Sequence, residues 1–195
     1  WGAQNPRITG TGDDGEEGPL FDSVSHTFGE YVLEAPEGDT DGKVFTIEYK
    51  EPYPDYQLVV SGALPAHVVA EQAGLSVEEL IDLVRAEDSE GLVEAAEFWN
   101  TGWHTSPGTL PDEALIPSSG QYKLSSWDAG QSITITANDN YWVTPAGTRD
   151  ITFRFVEEDT HVQSLRNGDL NVIEPQATID TLDQLEGLDG VIVHQ

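Results

Sequence analysis

Five histidines, at positions 26, 67, 104, 161 and 194, are the side chains best suited to moving a proton or ligating a metal near neutral pH. None stands four residues from another, the interval that puts two imidazoles on one helical face, and His67 and His161 read as first-turn helix residues. With cysteine absent as well, neither a zinc site nor a thiolate nucleophile has support. Asp and Glu number 36, but abundance selects no acid and base pair, and no Gly-x-Ser-x-Gly turn presents a serine. Catalysis therefore has no support in the sequence, and no cofactor is implied. Asp39-Thr40-Asp41-Gly42 has the opening of a calcium loop without its third acidic position or closing Glu, so it reads as a solvated turn. The acidic, glycine-rich stretch from Gly10 to Pro19 lacks the lysine and spacing of a phosphate cradle and reads as a mobile loop.

What remains is binding chemistry. Trp103 and His104 follow a predicted helix and could stack on or hydrogen-bond a solute, although a tryptophan there also suits a core. Pro175 and Gln176 follow a strand-like run, and ligands of open sheets gather at strand ends; Gln176 is equally readable as an ordinary loop amide.

The charge limits the partners. Eight Lys and Arg against those acids give a formal net charge of −28, which repels nucleic acid and anionic membrane surfaces. Such acidity keeps a secreted protein soluble or suits it to high salt. With 37% apolar residues, the 195-residue chain can bury one substantial core or two small ones. No run approaches the roughly 20 apolar residues of a membrane span. The start without Met and the end just after a strand-like run read as cuts from something longer.

The elements that must position these residues follow from periodicity. Tyr31-Val32-Leu33 and Val44 to Tyr49, with Phe45, Ile47 and Tyr49 on one face, predict a hairpin. Ala66 to Ala73 reads as a helix with Pro65 in its first turn and Gly74 as its stop. Ser76 and Glu79 have capping-box spacing, and Val77, Leu80, Ile81 and Val84 behind them define a buried face. A further helix from about Ser89 carries Leu92, Val93, Ala96 and Trp99, and Ser106-Pro107-Gly108 with Leu110-Pro111 marks a crossing between subdomains.

Beyond that crossing, Tyr122, Leu124 and Ser126 alternate, Asp128-Ala129-Gly130 turns the chain, and Ile133, Ile135 and Ala137 alternate again. Ile151, Phe153 and Phe155 predict a third strand. Thr160 and Gln163 have the spacing of a second capping box before a helix with Val162 and Leu165 inward, ended by Gly168. Val172-Ile173 reads as a strand, Thr178 opens a helix with Ile179, Leu182 and Leu185, and Val191 to Val193 reads as the last strand. The order predicts a mixed α/β (α+β) layer in two parts, residues 1–112 and 113–195.

The second part carries, in order, Ser119-Gly120-Gln121-Tyr122-Lys123-Leu124, Trp127, Asn138-Asp139-Asn140-Tyr141-Trp142, Ile151-Thr152-Phe153 and Leu165-Arg166-Asn167-Gly168-Asp169-Leu170-Asn171-Val172-Ile173. With Leu64-Pro65-Ala66-His67-Val68 upstream, this succession resembles the family 5 extracellular solute-binding proteins of ABC importers, the peptide and nickel group. Gln121 stands where that family often has Pro, and Asp169 and Asn171 replace its usual Glu and Asp; the first 25 residues match no family signature. Tyr141 and Trp142, amphipathic and set between two strands, read as sealing the edge of a core.

The resemblance implies a periplasmic-binding-protein type 2-like fold, with 1–112 as the smaller subdomain of lobe I and 113–195 as part of its main subdomain, ending near the crossing to lobe II. It implies no enzyme and no cofactor, but the substrate-binding component of an importer. Its partners would be a peptide or other small solute, held together with lobe II, and the ABC permease subunits. The place would be the outer face of the membrane as a lipoprotein, or the periplasm. It also adds Val60, Ser61 and Gly62, which lie where lobe I of relatives approaches the ligand. A different class, a secreted carbohydrate-binding or adhesive module, would use Trp99, Trp103, Trp127 and Trp142 as a stacking platform.

Overall fold

A computed structural model describes residues 1–12, 15–39, 42–59 and 64–194. They divide into a first unit, Trp1–Ser106 with Pro111–Pro117, and a second, Pro107–Leu110 with Ser118–Gln195.

The first unit is helical with two small ribbons. Helix α1 covers Thr27–Tyr31, α2 Ala66–Gln72, α3 Val77–Ala86 and α4 Val93–Glu97, and a π-helical turn, Phe98–Gly102, continues α4. Strands β1 (Thr9–Thr11) and β2 (Glu17–Pro19) pair antiparallel, as do β3 (Glu37–Gly38) and β4 (Phe45–Thr46). The capping box of α3 forms as its spacing predicts: Glu79 N donates to Ser76 Oγ at 3.2 Å, and Ser76 N donates to Glu79 Oε2 at 2.8 Å. Gly74, at φ +70°, ends the turn after α2, a conformation that glycine adopts without a Cβ clash.

Ile8, Phe21, Val69 and Ala70 of α2, Leu80 of α3, and Leu92, Ala95 and Ala96 along α4 make the core, with Trp99 and Trp103 partly buried against it. The stripe Leu92, Ala95, Ala96, Trp99 has helical spacing, so Val93, expected inward, lies off it and is exposed.

Two further expectations are corrected here. The stretch from Gly10 to Pro19 is largely a hairpin and not simply a mobile loop. Its ends are held because Ile8 and Phe21 anchor in the core and Leu20 N donates to Ile8 O at 2.9 Å. Tyr31, expected on a strand, is the last residue of helix α1. The hairpin expected from Tyr31 to Tyr49 is reduced to one bridge, Val32 to Tyr49, and the two-residue ladder of β3 and β4, leaving Phe45 exposed.

The second unit is a three-stranded antiparallel sheet in the order β5 (Tyr122–Asp128), β6 (Ser132–Ala137), β7 (Asp150–Arg154), with helices α5 (His161–Asn167) and α6 (Ile179–Glu186) following. Register sorts the side chains by face. Leu124 opposes Ile135, which opposes Ile151, and Trp127 opposes Ile133, which opposes Phe153. The other face carries hydroxyls, with Thr134 and Thr152 joined at 3.0 Å and Thr136 donating to Asp150 at 2.6 Å. Strict alternation predicts Ser126 on the apolar face. An irregularity between Leu124 and Ser126 shifts the pairing and brings Trp127 to that face instead.

The second capping box does not form. Thr160 Oγ1 donates to the Glu157 carbonyl at 2.7 Å and Gln163 Nε2 to Asn167 Oδ1 at 2.6 Å, because a 3₁₀ turn, Glu158–Thr160, leads directly into α5. Thr178, in contrast, caps α6 by accepting from Thr181 N at 3.1 Å. Ile179, expected inward on α6, is exposed, while Leu185 is buried. Val172-Ile173 and Val191–Val193, expected as strands, pair in no ladder among the described residues. Trp142 is 85% exposed and does not close a core edge; Tyr141 lies edge-on to it at 6.4 Å.

Candidate functional site

Of the residues singled out for binding, Val60, Ser61 and Gly62 lie outside the described residues. Trp103 and His104 stand at the end of the π-helical turn in the first unit. The Trp103 ring packs on Phe98 at 4.9 Å as part of the core, its indole nitrogen buried without a hydrogen-bond partner, while His104 is exposed. Pro175 and Gln176 follow α5 in the second unit, where Gln176 N donates to Glu158 Oε1 at 2.6 Å and its side chain stays exposed. Trp99 is likewise committed: it packs edge-on to Phe21 at 6.1 Å, and its Nε1 donates to the Asp22 carbonyl at 2.8 Å. The two rings belong to the first unit's core, which removes half of the expected four-tryptophan platform.

A different aromatic group assembles just before the segment at 60–62. The antiparallel bridge between Val32 and Tyr49 lays Tyr31 beside the chain at Tyr49-Lys50, with Lys50 N donating to Tyr31 O at 2.9 Å. Pro52 and Pro54 stiffen the following turn, which returns Tyr53 and Tyr56 to the same place. Tyr31 and Tyr53 stack at 4.5 Å with planes 29° apart, Tyr53 and Tyr49 stack at 6.5 Å, and Tyr56 meets Tyr49 edge-on at 6.4 Å. Four of the chain's six tyrosines thus form one ladder. It lies outside the hydrophobic core; three of the residues are half-buried and Tyr56 is 51% exposed. Tyr49 OH donates to the Tyr56 carbonyl at 3.0 Å and Gln57 Nε2 to Tyr56 OH at 3.1 Å. Burial pushes the Tyr49 phenol upward, with Tyr53 and Tyr56 adding to the effect, so it stays protonated and neutral at physiological pH. The signal was present in Tyr49-Lys50-Glu51-Pro52-Tyr53-Pro54-Asp55-Tyr56, but alternation assigned Tyr49 and Tyr31 only to the two arms of a hairpin and stacked neither on Tyr53.

A second feature is an open cleft of about 460 Å³ lined by Trp1, Arg7, Glu34, Ala35, Glu37, Arg85 and Glu87. Arg7 is committed to Glu87 across its floor, and Arg85 Nη2 donates to the Gly38 carbonyl at 3.3 Å. The Glu87 carboxyl is held below its ordinary value chiefly by its hydrogen bond from Arg7; burial opposes this and the Asn5 amide adds to it. Three carboxylates line this cleft against two guanidinium groups, an excess of one negative charge between them.

Among the described residues no group of three or more His, Asp or Glu converges to hold a metal, and no helix is long and apolar enough to cross a membrane. The arrangement suits non-covalent recognition through aromatic faces.

Comparison with known proteins agrees with this architecture. Residues 34–194 match the family described as bacterial extracellular solute-binding proteins, family 5 Middle. An uncharacterized lipoprotein of Mycobacterium leprae is 28% identical over 177 residues, 89% of this chain and 29% of that protein. One of Mycobacterium tuberculosis is 30% identical over 159 residues, 78% of this chain and 26% of that protein. The chain therefore spans less than a third of the length of these relatives. The periplasmic EDTA-binding protein EppA superposes with a TM-score of 0.62 at 24% identity, covering 88% of this chain and 27% of EppA. That likeness concerns the fold.

Proposed function

Since the chain belongs to the bacterial extracellular solute-binding proteins of family 5, we propose that it forms part of the substrate receptor of an ABC importer, capturing oligopeptides or a related small solute outside the cell and delivering them to permease subunits. The observation that carries this reading is the match along residues 34–194, together with a fold shared with a periplasmic binding protein. The role proposed is binding rather than catalysis, which the family's description as solute-binding proteins supports. The lipoprotein names of the relatives support a place on the outer face of a membrane or in the periplasm.

In this reading the first unit is the smaller subdomain of lobe I and the second is part of its main subdomain. The candidate solute contacts in this reading are Val60, Ser61, Gly62, Trp103 and His104 and, taken separately, Pro175 and Gln176. A solute in a receptor cleft buries most of its surface between two walls. Calorimetric titration of the full-length protein with a random peptide pool tests the reading, with binding expected. Because EppA is named for binding EDTA, metal chelates form a second arm and oligosaccharides a third. Failure to bind in all three arms overturns the receptor role.

A further inference from the structure

We infer that the tyrosine ladder is the part of the receptor that selects a positively charged solute, a peptide bearing a guanidinium or ammonium side chain, which lies against the outer ring faces near Tyr56. The inference rests on the receptor reading and adds to it the class of solute. Three observations carry it.

The first is geometric. Tyr31, Tyr53, Tyr49 and Tyr56 are stacked or edge-on at 4.5 to 6.5 Å, which fixes each ring by its neighbour and leaves the end of the row open, with Tyr56 51% exposed. Rings already ordered lose little entropy when a solute arrives. The second is electrostatic. Ring faces are negative by their quadrupole and attract a cation within about 6 Å. Tyr49 stays neutral, so the row offers faces and not phenolates. Beside the rings in sequence stand Glu48, Glu51 and Asp55, all exposed, within a chain of net charge −28. The third is that the nearest cation in sequence is already committed: Lys50 Nζ donates to the Glu30 carbonyl. Opposed to these, an anionic or purely apolar solute gains nothing from the acids and is repelled or indifferent.

The test titrates the full-length protein with three tripeptides, Ala-Arg-Ala, Ala-Leu-Ala and Ala-Glu-Ala, in about 0.5 M sodium chloride, where general attraction to an acidic protein is screened beyond about 5 Å. The expected order of affinity is Arg, then Leu, then Glu. Tyr56→Leu lowers affinity for the Arg peptide by about two- to fivefold, the worth of one exposed cation–ring contact, and lowers that for the Leu peptide less. Tyr56→Phe keeps the ring face and the Arg affinity. An unchanged melting temperature certifies that the variant is folded. Equal affinity for the three peptides, or an Arg preference that survives Tyr56→Leu, overturns the inference and leaves the receptor role standing. If no peptide binds while a metal chelate or oligosaccharide does, the inference fails and so does the peptide part of the receptor reading; if none of the three classes binds, the receptor role fails with it.

Discussion

Arg7 and Glu87 meet across 80 positions of sequence: Arg7 Nε donates to Glu87 Oε1 at 2.6 Å, and Asn5 Nδ2 reaches the same oxygen at 3.0 Å. Glu87 is the C-terminal cap of α3 and has left-handed backbone angles, φ 54° and ψ 35°, unusual for a residue with a Cβ. Asn5 is 2% exposed and also accepts from Arg7 N at 3.1 Å, so the cluster ties the N-terminal segment to the end of α3. Because the pair is partly exposed, Arg7→Ala is expected to cost about 1 kcal/mol in urea unfolding, the upper end for such pairs.

The same pair gives a pH dependence with a definite sign. The Glu87 carboxyl is depressed when folded, chiefly by the Arg7 hydrogen bond, so its contribution is fully present above the ordinary glutamate value of about 4.3 and is lost as pH falls through the lower folded value. Melting curves of the native chain and Glu87→Gln should therefore differ at pH 7 and converge as the pH is lowered through the depressed folded value. A difference that is constant with pH contradicts this assignment.

Gly29 lies in α1 against the first turn of the chain, where a Cβ would stand 2.0 Å from the Gln4 carbonyl oxygen and 2.7 Å from the Asn5 Cα. Both are backbone atoms and cannot swing aside. Gly29→Ala is expected to destabilise the chain by about 3 kcal/mol or more through forced overpacking, measured by thermal or urea unfolding.

Ser76→Ala removes the side-chain acceptor for Glu79 N and is expected to cost about 1 kcal/mol. Thr160→Ala, at a position of the same spacing but with no cap hydrogen bond, should cost less. Equal losses in urea unfolding would show that cap geometry does not decide the difference.

Trp103→Ala is expected to be the costlier of two tryptophan truncations, about 2 to 4 kcal/mol, since its ring packs on Phe98 in the core. Trp142→Ala, 85% exposed, should fall within about 0.5 kcal/mol of the native chain.

Salt should stabilise the chain. A net charge of −28 makes the folded state repel itself, and sodium chloride shortens that repulsion from about 30 Å at 0.01 M to about 3 Å at 1 M. The Arg149 and Asp139 pair, 3.9 Å apart and well exposed, relieves little of it. A melting temperature that is flat or falls over this range would show that the acids are dispersed well enough to cost nothing.

Local chemistry was legible in the sequence wherever the deciding partner lies within a few residues. Ser76 and Glu79 form their box because the cap is closed by groups three positions apart, and Gly74 and Gly168 end their helices because a left-handed residue is needed there. The alternation of Ile133, Ile135, Ile151 and Phe153 placed them on one face because strand geometry repeats every two residues. The order of motifs from Leu64 to Ile173 carried the family, whose match runs along residues 34–194.

Tertiary structure decided what depends on distant partners. Trp127 reached the apolar face through an irregularity at Ser125, which no periodicity predicts. Thr160 lost its cap because a 3₁₀ turn before it redirected the hydroxyl to Glu157, and the apolar runs at 172 and 191 pair in no ladder among the described residues: a strand needs a neighbour as well as a pattern. The ladder of Tyr31, Tyr49, Tyr53 and Tyr56 and the clasp of Arg7 on Glu87 join residues that only the folded chain makes neighbours. Composition and spacing act over a few residues, whereas a binding surface is set by which faces of separate segments the core brings together.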